Sequence, residues 1–77
     1  MAITREELIA WATRHGWKLD RWGHLKKELP GATHRIKLSR IAARHEISTP
    51  HGWVRLASGY MKQLHITADG KLAGMTR

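Results

Sequence analysis

From Ile3 to His15 the apolar positions recur at helical spacing, with Leu8, Trp11 and Ala12 followed by His15 along one side. Thr4 stands where an N-cap belongs and Glu7, three residues later, completes a capping box. Ile3 and Leu8 occupy the two positions of a hydrophobic staple. Gly16 offers the left-handed stop that ends a helix, Arg14 and His15 lie near the negative end of the dipole, and Trp17 can fold back onto Ala12. The pattern predicts a helix from Arg5 to His15. Beyond Trp17 the period changes. "WKL" alternates, "DRWG" has turn chemistry, and "HLKKEL" runs into "PGAT", a second turn signal. "THRIKL" alternates cleanly, with Ile36 and Leu38 on one face and Arg35 and Lys37 on the other. Near the end, Asp69-Gly70 sits between two short alternating runs and predicts a hairpin.

The stretch "KLSRIAARHEISTPHGWVRL" admits two readings. As a helix-turn-helix, "SRIAARHEIS" supplies the first helix and turn. Thr49 and Pro50 then cap a recognition helix carrying Trp53, Leu56, Ala57, Tyr60 and Leu64, with Arg55 and Lys62 toward DNA. Gly52 and Gly59 oppose this, since each interior glycine costs a helix roughly 1 kcal/mol relative to alanine. As strands, Ile41, Ala43, His45 and Ile47 alternate with Arg40, Ala42, Arg44 and Glu46, which sorts the charges onto one face. "STPHG" then reads as a loop, after which Val54 and Leu56 alternate with Trp53 and Arg55. "GWKLDRWGHLKKE", "HRIKLSRIAARHE", "GWVRLASGYMK" and "DGKLAGMTR" together resemble a loosely defined set of small uncharacterised bacterial and phage-associated proteins. The resemblance implies a loop of variable length after Glu46, which suits a strand connection, and it brings no established activity. This chain departs in the shortness of that loop and in Met61, where an aromatic is common. The expectation is therefore an α+β domain, one amphipathic helix packed on a small antiparallel sheet, with the all-α helix-turn-helix as its rival.

Size limits what such a fold can bury. A chain of 77 residues makes a single domain, residues 1–77, and must use nearly every large apolar side chain. The expected core is Leu8, Trp11, Trp17, Leu19, Ile36, Leu38, Ile41, Val54, Leu56 and Leu64. Four tryptophans cannot all be hidden in it, because indole is large and its N–H needs a partner. The absence of cysteine removes disulfides and thiolate metal sites and fits a reducing, cytoplasmic setting. No apolar run approaches the roughly 20 residues that span a bilayer.

Charge changes the picture most. The formal net charge is +8 and the pI near 11.0. Residues 29–77 carry most of the excess, with Glu46 and Asp69 their only acids. Such a field attracts polyanions, nucleic acid first and an acidic protein partner second. On the strand reading Arg35, Lys37, Arg40, Arg44 and Arg55 project from the face opposite the core, joined by Trp53. Cations neutralising phosphates around a stacking indole suit a single strand better than duplex. Trp22 and Lys26, with Arg21, Lys27 and His24, make a second basic group around the "DRWG" turn. The competing reading makes these charges a solvated sheet face, with the tryptophans packed over strand neighbours.

Catalysis and metal binding have little to build on. The six histidines show no pair at the three-to-five spacing of zinc ligands. His45 is expected to be a core histidine holding a backbone carbonyl. On a strand His45 faces away from Arg44 and Glu46, and on a helix adjacent residues do not face one another either. Ser48 and Thr49 lack a base and acid partner, and there is no glycine-rich phosphate loop. The expectation is a non-enzymatic protein with neither cofactor nor metal.

Overall fold

A computed structural model describes residues 2–77. Helix α1 spans Arg5–Arg14, and its capping box is formed as the sequence requires. The Glu7 amide donates to Thr4 Oγ1 at 3.1 Å and the Thr4 amide to Glu7 Oε1 at 2.9 Å. Gly16 takes φ 90°, and the Trp17 amide closes the end of the helix on the Ala12 carbonyl at 3.0 Å. Five strands follow: β1 (Lys18–Leu19), β2 (Leu25–Leu29), β3 (Ala32–Leu38), β4 (Ala42–Thr49) and β5 (Gly52–Tyr60). They form one antiparallel sheet in sequence order. A 3-10 turn, Met61–Gln63, leads to a two-stranded sheet of β6 (His65–Ile66) and β7 (Leu72–Ala73) around the Asp69-Gly70 turn. The fold is α+β, and the helix-turn-helix alternative is excluded because residues 42–49 and 52–60 are extended. No helix among the described residues is long and apolar enough to cross a membrane.

The helix lays Leu8 and Ala12 against Leu25, Ile36, Leu38 and Ala43, and Leu64 closes the cluster. Trp11 and Trp17 pack at its margin, and the Trp11 indole N–H donates to the Gly70 carbonyl at 2.8 Å, tying the small hairpin to the helix. Three expected core residues are exposed instead. Leu19 stands on an edge strand of two residues. Ile41 precedes β4, in the turn that follows β3. Val54 pairs with Ile47 near the β4–β5 turn, at the end of the sheet away from the buried cluster. Leu56 is half-buried for a different reason. His45 pairs with Ala57 while Glu46 pairs with Arg55, so Leu56 is the extra residue of a β-bulge. The bulge lets Trp53 and Arg55, and beyond it Ser58, share one face.

The last residues are strapped onto the sheet. Ser58 and Thr76 exchange two backbone hydrogen bonds of 2.8 Å, and the chain passes so close that a Cβ at Gly59 would stand 2.5 Å from the Gly74 carbonyl oxygen.

Candidate nucleic-acid interface

Strand register assembles the face opposite α1. Directly paired residues line up as Lys18, Lys26, Arg35, Glu46 and Arg55 across all five strands. A second row, Lys37, Arg44 and Ser58, crosses β3 to β5. Trp53 lies beside the first row, opposite Ser48. Paired residues point to the same side of a sheet, so alternation along each strand carries these groups outward together.

Contacts within this face form a run of cations and indoles. The Arg21 guanidinium lies 4.7 Å from the centre of the Trp22 ring, and the Lys26 ammonium is 6.0 Å from Trp22 and 6.0 Å from Trp53. The Arg35 guanidinium lies over Trp53 at 3.9 Å. Trp22 is 65% exposed and Trp53 37%. The turn group and the sheet group, separate in the sequence, are thus one surface joined at Lys26. Asp20 sets Trp22 in place: its Oδ1 accepts from the Trp22 and His24 amides at 2.9 Å each. The His24 amide bond holds the Asp20 carboxyl below its usual range against the effect of burial, with help from the Trp22 amide, His24 and Lys26. Its Oδ2 lies 3.9 Å from the Lys26 ammonium.

Two expected members of the site behave differently. Arg35 is not free, because its Nε and Nη2 both donate to Glu46 Oε1, at 2.9 and 2.5 Å. Glu46 is only 5% exposed and also lies 3.6 Å from Arg44 Nη1 through its other oxygen. Burial alone would raise its carboxyl. The Arg35 hydrogen bonds and the charges of Arg35, Arg44 and Lys37 outweigh that and hold it below the ordinary carboxylate range. Arg35 therefore lies against Trp53 with its charge paired to Glu46. Arg40 does not project from the sheet face, since β4 begins only at Ala42. It stands in the β3–β4 turn beside Ile41, Tyr60, Met61 and Lys62. Lys37, Arg44, Arg55 and Trp53 lie on the face as expected, whereas Lys26 and Trp22, expected in a separate turn group, are brought onto it and beside it. Of the remaining turn cations, Lys27 is on the inner face, where its ammonium donates to the His15 carbonyl at 2.7 Å.

His45 faces inward, away from Arg44 and Glu46, but its partner is not a backbone carbonyl. His45 Nε2 and His34 Nδ1 share a hydrogen bond of 2.8 Å, and the Trp17 ring meets His45 edge-on. Burial, followed by the neighbouring His34, lowers the His45 pKa. No three His, Asp or Glu side chains among the described residues gather as metal ligands would. Sequence reading missed Lys18, Asp20 and Ser58 as members of the outer surface. Lys18 could have been found from the alternation of Trp17, Lys18 and Leu19, which turns it away from the two apolar neighbours. Ser58 could not, because its phase depends on the bulge.

Comparison of the chain with protein-family models, curated proteins and solved structures finds no match.

Proposed function

We propose that the outer sheet face binds nucleic acid, a single strand in preference to duplex, without chemical turnover, in the phage or mobile-element setting that the sequence resemblance implies. The observation that carries this reading is the position of Lys26, equidistant from two exposed indoles. Neighbouring unpaired bases can stack on Trp22 and Trp53 while the ammonium meets the phosphate between them. Stacking contributes roughly 1 to 3 kcal/mol per base, and duplex bases are not free to do it. Lys18, Lys37, Arg44 and Arg55 extend the positive face on either side. Arg21, Arg35, Asp20 and Glu46 fix the rings.

The test is a titration of tryptophan fluorescence with single- and double-stranded oligonucleotides at two salt concentrations. Quenching by the single strand is expected, weakening steeply with salt by about 0.7 log units per log unit of salt for each phosphate neutralised. Trp22→Ala and Trp53→Ala should each lower affinity about 5- to 150-fold. A flat titration, equal binding of duplex and single strand by the native protein, or unchanged single-strand affinity in both variants rejects the reading. A second reading, an acidic protein partner, is favoured by Ile41 and Tyr60, exposed at the end of the sheet between Arg40 and Lys62. For that partner nucleic acid binds weakly and with little salt dependence.

A further inference from the structure

Register also places Lys37 directly opposite Arg44, and Arg44 directly opposite Ser58. Like charges facing each other across an antiparallel pair destabilise a sheet, so such a pairing calls for a counter-charge. The protein supplies a single carboxylate, Glu46, shared between Arg35 and Arg44, and none within ion-pair distance of Lys37 among the described residues. Glu46 is committed to Arg35 by two hydrogen bonds and reaches Arg44 only at 3.6 Å through its second oxygen. Beside the two cations lies an open hollow of about 400 Å³, bordered by Lys37, Arg44, Ser58, Tyr60 and Thr76, with no carboxylate in its lining. A second guanidinium approaches from β5, where Arg55 Nη1 lies 3.3 Å from Ser58 Oγ. The tail strap fixes the far wall through the paired Ser58 and Thr76.

We propose that the Lys37–Arg44–Ser58 row is a binding site for one tetrahedral oxyanion of the phosphate-monoester class. The chemistry of each group matches that ligand. A guanidinium offers parallel N–H donors spaced for two oxygens of a phosphate, an ammonium adds a point charge, and hydroxyls donate to the remaining oxygens. The anion resolves the repulsion that the register builds in. The site shares the face proposed above for strand binding but does not depend on that reading, because a free phosphate ester and the phosphorylated end of a strand present the same dianion.

The experiment follows amide and side-chain NMR signals of the full chain during titration with inorganic phosphate, against chloride at matched ionic strength. Saturable shifts confined to Lys37, Arg44, Ser58 and Thr76 are expected. Lys37→Gln and Arg44→Gln should each weaken binding at least about tenfold. Arg44→Lys, which keeps the charge on the strand and removes the fork, should fall in between. Arg14→Gln on the helix should change nothing. Shifts no larger than those with chloride overturn the site, as does an equal loss in Arg14→Gln, which would mark a diffuse field. A second arm compares an oligothymidylate bearing a 5′-phosphate with its hydroxyl form. Preference for the phosphate, abolished by Arg44→Gln, supports the site and assigns the anion to a strand end. Saturable inorganic phosphate binding without that preference supports the site for a small phosphate ester. If no oligonucleotide binds while phosphate does, the strand reading falls and the site stands.

Discussion

Glu46 lies buried on the face of a strongly basic protein, with Arg35 and Arg44 turned toward it. Taking a carboxylate and a guanidinium out of water is costly, and the cost is offset only when the geometry is good. Here both Arg35 donors converge on one oxygen, and the same guanidinium lies over Trp53. Glu46→Gln keeps the shape and removes the charge, leaving Arg35 half-buried without a counterion. A loss of roughly 3 kcal/mol at neutral pH is expected in urea denaturation. The pH dependence has a definite sign. Because the folded carboxyl titrates below its unfolded value, its contribution is complete above about pH 4.3 and is lost as pH falls through the folded pKa. The gap between the native protein and Glu46→Gln should therefore close in acid. The alternation of β3 and β4 already placed Arg35, Arg44 and Glu46 on one side. That Arg35 lies opposite Glu46 was not legible, because register depends on where each turn begins, and β4 starts at Ala42 instead of Arg40.

At the scale of elements, the parts with local signals were the legible ones. The capping box, staple and glycine stop of α1 act within about four residues, and the helix ends one residue short of its expected limit. The hairpin at Asp69-Gly70 and the turns at "DRWG" and "PGAT" are equally local. What escaped was burial that depends on distant partners. Leu25, in a run with Lys26, Lys27 and Glu28, is fully buried because it pairs with Ile36 beneath the helix, while Val54 is left exposed. Gly59 shows how a local oddity acquires its reason from far away. It weakened the helical reading of residues 50–64, and the fold needs it because the tail crosses there. Gly59→Ala would push a Cβ to 2.5 Å from the Gly74 carbonyl oxygen, a contact that neither backbone can relieve without moving. The expected cost is about 1 to 3 kcal/mol. Faster hydrogen exchange at the Thr76 amide, now bonded to Ser58, should report the loosening.

Across the whole molecule the sheet separates two environments. One side holds α1 and the apolar cluster, and the other gathers Lys18, Lys26, Arg35, Lys37, Arg44 and Arg55 around Glu28 and Glu46. The order β1 to β5 also leaves the sheet open at both ends. Lys18–Leu19 makes one end too short to recruit a neighbour, but β5 has only β4 beside it from Gly52 to Ala57, since Thr76 meets it no earlier than Ser58. Unpaired amides and carbonyls beside a half-exposed valine form a seam along which separate molecules can zip. Mutual repulsion between copies of charge +8 is the guard on that seam, and dissolved ions weaken it, since its range shrinks from about 10 Å at 0.1 M to about 3 Å at 1 M salt. Light scattering of the free protein should consequently rise with ionic strength, and Val54→Lys should suppress the rise. Colloidal behaviour in this protein would then be governed at one strand border.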